Sequence, residues 1–276
     1  MPDRQPIVAG SFYPADAQEL RTQINGFMAA ARLARPDDAP QPLLCMLPHA
    51  GYVYSGQVAA LGLAGVRAPE TVFLLGPNHT RMGAPLAVWP DGAWHTPLGA
   101  AYVDPDLGPA LIATGTGFTE NTTAHLREHS LEVLLPFLQV CMPKARIVPI
   151  AVAESDPQRL KTAGEALAWQ LLTLRSQGKN PLVIVSSDMH HFATHDQTLQ
   201  LDDLALERIL AMDPTALYGT VRDRNISMCG VLPMTLGLFM ALACNATTAT
   251  LLDHTTSAPQ SGDYSNTVGY AAIHIH

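Results

Sequence analysis

Three histidine-bearing turns follow directly on short apolar runs. LLCML (43–47) leads into Pro48-His49-Ala50-Gly51-Tyr52, TVFLL (71–75) into Gly76-Pro77-Asn78-His79, and LVIVS (182–186) into Ser187-Asp188-Met189-His190-His191. Neutral imidazole ligates zinc, iron, copper and nickel, and a carboxylate or thiolate usually completes the ligand set. A lone histidine after a strand is ordinarily a hydrogen-bonded structural residue. Three such turns in equivalent places point instead to a shared site, and His49 with His79 is the preferred ligand pair. Pro48 and Gly51 beside one ring, and Gly76 and Pro77 before the other, restrict and bend the backbone so that each side chain is aimed.

Asp188 with His191 forms the second candidate group, set against the plain alternative that Asp188 caps a helix beginning at Met189. Ser186 and Ser187 read as structural, and His190 as pointing away from His191. Arg81 and Asn78 lie on a loop that is either solvated or able to hold an anionic group. In Glu128-His129-Ser130-Leu131-Glu132, His129 and Glu132 fall at i, i+3 on one face of an expected helix. They read as a further ligand pair, as groups orienting the ligands, or as a salt-bridged surface. Cys229 differs from Cys45, Cys141 and Cys244 because it ends a polar loop just before an apolar helix. A thiol there is either buried and inert, or held partly as thiolate by the helix N-terminus and able to ligate metal.

The apolar runs at 43–47, 71–75, 147–152 and 182–186 are too short for buried helices and read as buried strands. Longer stretches at helical spacing lie around them: 16–33, 56–66, 130–139, 157–176 and 199–212. Pro157 suits a first helical turn, Asp156 or Ser155 its cap, and Gly178 its end. Alternating strands and helices imply crossovers and an α/β fold, with a mostly parallel central sheet flanked by helices. Functional groups in such sheets gather at the carboxyl ends of the strands. The tail reads as helices 214–223 and 231–244 and then strands 247–253 and 268–276, which finish the sheet. RPDDAPQP (35–42) reads as a linker. With no repeat or long polar tract, a single domain over 1–276 is the simplest organisation.

Composition removes several function classes. A formal charge of −8, with 14% charged residues and no Lys/Arg run, lacks the footprint of phosphate-backbone binding, so nucleic acid is not an expected partner. The longest apolar stretch, 231–244, contains Pro233 and is shorter than the roughly 18–20 residues that span a bilayer, so no membrane association is expected. The opening decapeptide has no apolar signal region, and the cysteines show no paired spacing. Reducing cytoplasm is the expected compartment.

The motifs taken in order resemble a known family. They are Val8-Ala9-Gly10-Ser11-Phe12-Tyr13-Pro14, Pro48-His49-Ala50-Gly51-Tyr52 with Tyr54-Ser55-Gly56, Gly76-Pro77-Asn78-His79, His129-Ser130-Leu131-Glu132, Ser186-Ser187-Asp188 with His191, Cys229-Gly230, and Gly262-Asp263-Tyr264-Ser265 before Gly269-Tyr270-Ala271. This set resembles the Memo-like family, whose bacterial and archaeal members are also called AmmeMemoRadiSam system protein B. That family is similar in fold to the class III extradiol dioxygenases, non-heme Fe(II) enzymes that open catechol rings. The resemblance implies that His49 and His79 match two iron-ligating histidines, that His191 matches the acid/base histidine, and that Cys229 stands where the dioxygenases carry a glutamate ligand. Asp188 then assists His191 or orients a ligand. Iron (Fe2+) is the implied cofactor, while a thiolate also suits copper or zinc. The implied activity is that of a metal-dependent oxidoreductase acting on a small molecule, with protein partners in a radical SAM-linked system. A zinc hydrolase and a non-catalytic peptide- or protein-binding scaffold are the alternatives.

Overall fold

The structure is a computed structural model that describes residues 3–34 and 40–276; most of the expected linker at 35–42 lies outside the described residues. In chain order, helix α1 (Ala17–Ala34) leads into strand β1 (Leu44–Leu47), helix α2 (Tyr52–Leu63) and strand β2 (Thr71–Pro77). Short elements follow: β3 (Leu86–Val88), β4 (Ala93–Thr96), β5 (Gly99–Tyr102), α3 (Leu107–Ala113), β6 (Thr119–Glu120), α4 (Thr123–Leu126), a 3-10 turn at Glu132–Leu134 and α5 (Leu135–Cys141). The chain then forms β7 (Arg146–Val152), α6 (Pro157–Ser176), β8 (Leu182–Ser186), β9 (His191–Ala193), α7 (His195–Leu210), α8 (Pro214–Asp223) and α9 (Val231–Ala243). It ends with β10 (Ala249–Thr256), α10 (Ala258–Ser261) and β11 (Thr267–Ile275).

Among the described residues, one mixed sheet runs in the order β10-β11-β1-β8-β2-β7-β3-β6, with β9 pairing β11, while β4 and β5 form a separate hairpin. The α/β expectation holds. The central strands β1, β8, β2 and β7 are mutually parallel, and antiparallel pairs flank them on both sides. The late strands do finish the sheet: β11 pairs β1 antiparallel and β10 lies outside it.

Burial on both faces explains why the central strands read as continuous apolar runs. Val72 and Leu74 of β2 join one core with Leu20 and Ile24 of α1 and Leu63 of α2. The alternate residues Phe73 and Leu75 join the other, with Leu167 of α6 and Met240 of α9. The period-two alternation of a strand thus sends neighbouring side chains into separate cores. The crossovers from β1 and from β7 therefore leave on opposite faces, which opens a crevice at the carboxyl ends of β1, β8 and β2.

Boundaries shift where local chemistry dictates. Asp156 rather than Ser155 caps α6, accepting the Gln158 N–H at 2.8 Å, with Pro157 in the first turn. The stretch expected as a helix over 130–139 instead starts as the 3-10 turn, because Pro136, with no N–H to give, fits the opening turn of α5. Helix α2 begins at Tyr52, earlier than expected, and has ended before Gly65 at φ +74°. No helix starts at Met189, so the capping alternative for Asp188 is not realised. Among the described residues, no helix is long and apolar enough to cross a membrane.

Candidate metal centre

Strand β8 lies between the strands that carry His49 and His79. Those strands are two spacings of about 4.8 Å apart, yet the ring centroids of His49 and His79 come within 5.4 Å. The side chains lean towards each other over the end of β8. Ser186, the last residue of β8, lies opposite Leu47 in the β1 register and so sits beside the turn that carries His49.

That placement fixes the His49 ring. Ser186 Oγ donates to the carbonyl of Ser130 at 2.7 Å, so the hydroxyl is left to accept from His49 Nδ1, also at 2.7 Å. Nδ1 then carries the proton, and Nε2 holds the free lone pair. His79 is held in the same sense by a carboxylate, since its Nδ1 lies 2.9 Å from Glu128 Oε1 and donates to it. Glu128 also accepts the backbone N–H of His79 and that of Ser130. An imidazole that donates one nitrogen to a fixed acceptor presents the other as a ligand of set orientation and raised basicity.

Cys229 supplies the third donor. Its Sγ lies 3.4 Å from His49 Nε2 and accepts the Asp188 N–H at 3.2 Å. Gly230 makes this approach possible. A Cβ there would stand 2.3 Å from the Ser187 Cβ and 2.7 Å from the Ser186 carbonyl oxygen, so only glycine lets the loop reach the end of β8. One donor atom from each of His49, His79 and Cys229 falls within 4.8 Å of the others. Two nitrogens and one sulfur, drawn from distant parts of the chain, suit iron, copper or zinc.

Protonation divides the three donors. Burial holds the His49 imidazole well below its ordinary range, and the neighbouring His79 and His129 add to the effect, so it is neutral. Burial also disfavours charge on His79, but the hydrogen bond and the charge of Glu128 outweigh it and raise this ring. Glu128 itself falls to about 2: burial opposes ionisation, and His79 overcomes that. Burial, with the Asp188 charge behind it, pushes the Cys229 thiol well up. The stabilisation of thiolate expected from the α9 N-terminus is therefore outweighed, and a cation is the counter-charge that would draw the proton off.

The other expected residues divide. Asp188 is buried, and its Oδ1 accepts the backbone N–H of His49 at 2.7 Å, so it braces the turn that carries His49. The expected assistance to His191 does not run through its Nδ1, which donates to the Ser227 carbonyl at 3.0 Å. His190 is tied to the same loop, its Nδ1 accepting the Ser227 N–H, so the two rings do not diverge to unrelated surroundings. His129 stacks on His79 with centroids 5.0 Å apart and lies in the turn before the 3-10 segment, not on a helix with Glu132. Glu132 faces elsewhere. Its carboxylate accepts from Arg4 Nη1, the Ile7 and Val8 N–H groups and the Tyr13 hydroxyl, so it anchors the N-terminal segment and does not orient His129.

Sequence reasoning missed Glu128 and undervalued Ser186. The signal for Glu128 lay in the same five-residue segment, but reading that stretch as helix selected Glu132 by spacing. His79, Glu128 and His129 also form a second possible donor group. Glu128 is the weaker ligand there, because three N–H groups already occupy its oxygens.

A cavity of 620 Å³ opens on the site, and His79 and Cys229 are in its wall together with Asn78, Arg81 and Leu232. The His79 side chain is 35% exposed, against 2% for His49, so the accessible side of the donor set is that of His79 and Cys229.

Comparison with known proteins agrees with the motifs. The family described as Memo-like protein matches residues 4–274. A MEMO1 family protein of Methanopyrus kandleri is 41% identical over 280 residues, covering 98% of each chain. Relatives of the same description in Pyrobaculum arsenaticum and Thermotoga neapolitana are 38% and 37% identical, covering 99% and 97% of each chain. Matched over nearly its whole length by both kinds of comparison, the chain belongs to the Memo-like family.

Proposed function

We propose that this protein is a metal-dependent oxidoreductase that holds ferrous iron on His49, His79 and Cys229. The observation that carries the reading is the convergence of these donor atoms within 4.8 Å, with the Nδ1 atoms of both histidines already committed to Ser186 and Glu128. When bound, iron would supply Lewis-acid and one-electron redox chemistry on the side open to the cavity. Cys229 would give the set a soft anionic donor where a carboxylate would be harder. Asp188 braces the backbone that carries His49. His191, whose Nδ1 donates to Ser227, keeps Nε2 available to take a proton from a substrate oxygen and return it.

A zinc hydrolase is the second reading, favoured by the sulfur donor, since thiolate with imidazole is a common zinc environment. Protein prepared without oxygen and offered Fe2+, Zn2+ and Cu+ separately, with oxygen uptake then followed, separates the two. About one Fe2+ per chain with oxygen consumption supports the oxidoreductase. Stoichiometric zinc, no affinity for Fe2+ and no oxygen consumption rule it out. A protein partner that still binds the His79→Ala and Cys229→Ser variants would support a scaffold instead.

A further inference from the structure

The cavity beside the donor set carries its own chemical signature. Among the described residues, Arg81 lies in its wall and no carboxylate does. The chain has 16 Lys+Arg against 24 Asp+Glu, so a cavity offering a cation and no acid differs from the bulk of the molecule. Among the described residues, Arg81 has no ion pair. Glu154, which precedes the wall residue Ser155, is matched with Arg159 at 3.5 Å. Glu128 and Asp188 are buried behind the ligands they brace and do not line the cavity.

The loop that presents the guanidinium is built. Arg81 sits at φ +55°, a backbone conformation that glycine would adopt with less strain. The Asn78 side chain fixes the turn, its Nδ2 donating to the Met82 carbonyl at 2.7 Å and its Oδ1 accepting from the Thr80 hydroxyl at 2.8 Å. The remaining wall is largely apolar, with Pro77, Pro85, Val152 and Leu232.

We infer that the cavity takes a small organic carboxylate, with its anionic group on Arg81 and its apolar body against Val152 and Leu232, directed at the His79 and Cys229 side of the donor set. The inference rests on the proposed function for what happens at that side, but the recognition itself needs only Arg81 and the wall. A planar guanidinium pairs with a carboxylate through two parallel hydrogen bonds, and a lone guanidinium balances a single negative charge better than the two of a phosphate monoester. A volume of 620 Å³ is in the range of small-ligand pockets.

Benzoate, benzamide and phenyl phosphate serve as probes, with binding followed by calorimetry and by amide chemical shifts in metal-free protein and in protein loaded with Co2+. Benzoate is expected to bind at least about tenfold more tightly than its neutral analogue benzamide. Arg81→Gln should remove that preference without changing benzamide binding, and Arg81→Lys should restore only part of it. Equal binding of benzoate and benzamide, or a preference that survives Arg81→Gln, overturns the inference, and tighter binding of phenyl phosphate than of benzoate overturns the single-charge assignment. The two readings fail separately. Benzoate preference in protein that takes up no metal contradicts the metal proposal alone, whereas metal uptake without benzoate preference contradicts the carboxylate site alone.

Discussion

Two buried polar clusters share the 125–132 segment and behave in opposite ways. In one, Glu132 accepts from Arg4, Ile7, Val8 and Tyr13, while the Arg4 guanidinium also donates to the carbonyls of His125 and Glu128 and lies 4.2 Å from the Trp94 ring centroid. Every charge there is answered by the chain itself. In the other, Ser186 and Glu128 hold the Nδ1 atoms of His49 and His79, and one donor atom from each ring falls within 4.8 Å of the Cys229 sulfur. Both clusters are paired and oriented. Internal completeness marks the first as structural, and donor atoms gathered within 4.8 Å of one another mark the second as the candidate place for an ion.

The largest expected effect lies in the completed cluster. Glu132→Gln leaves the buried Arg4 guanidinium without its counter-charge and should cost about 3–5 kcal/mol, read as a lowered denaturant midpoint. Unchanged stability together with lost metal binding would reverse the assignment of the two clusters.

Acid should reach the same region next. Burial holds the His125 imidazole down at about 3, with its Nε2 committed to the Ala87 carbonyl. The unfolded chain takes up this proton near the ordinary value of about 6.5, before the folded chain does. The contribution to stability is therefore whole above about 6.5 and shrinks as pH falls towards about 3, at about 1.4 kcal/mol per pH unit. Between pH 7 and pH 5 this one group should remove about 2 kcal/mol. A His125→Gln variant, compared with the parent by urea unfolding at both pH values, should show a shallower dependence by that amount. An unchanged dependence would mean that this ring is protonated in the fold.

The smallest effect should fall on the open cluster and should separate binding from folding. Ser186→Ala removes the acceptor that sets the His49 tautomer and should weaken metal binding by roughly 10–100-fold. The accompanying loss of stability should be nearer the ~1 kcal/mol of an ordinary hydrogen bond. Competition titration with a chromophoric chelator measures the first, and denaturant unfolding of metal-free protein the second. If affinity holds while stability falls, Ser186 belongs with the structural residues after all.

The sequence exposed the parts of the fold whose local signals agree. The strands β1, β2, β7 and β8 are apolar on both faces and end at Gly, Pro or polar turns, and α6 has its cap, its Pro and its terminal Gly178 at φ +78°. The segment 86–126 was not legible, because β3 and β6 have only three and two residues and owe their place to neighbours. At the site, His49, His79 and Cys229 were legible from strand-end placement and the family motifs. Ser186 was not valued, because a serine announces no direction until the β1–β8 register sets it beside His49. Glu132 was misassigned because spacing along a helix was used where the chain forms a turn, and the N-terminal Arg4 that claims it is 128 residues away.

The claim that His49, His79 and Cys229 share one ion is tested most directly by X-ray absorption on protein loaded with Zn2+, beside its Cys229→Ser variant. The arrangement predicts one sulfur at about 2.3 Å with nitrogens at about 2.0–2.1 Å, and loss of the sulfur shell in the variant. A shell of nitrogen and oxygen alone in the parent protein would place the ion on His79, Glu128 and His129 instead and contradict the account.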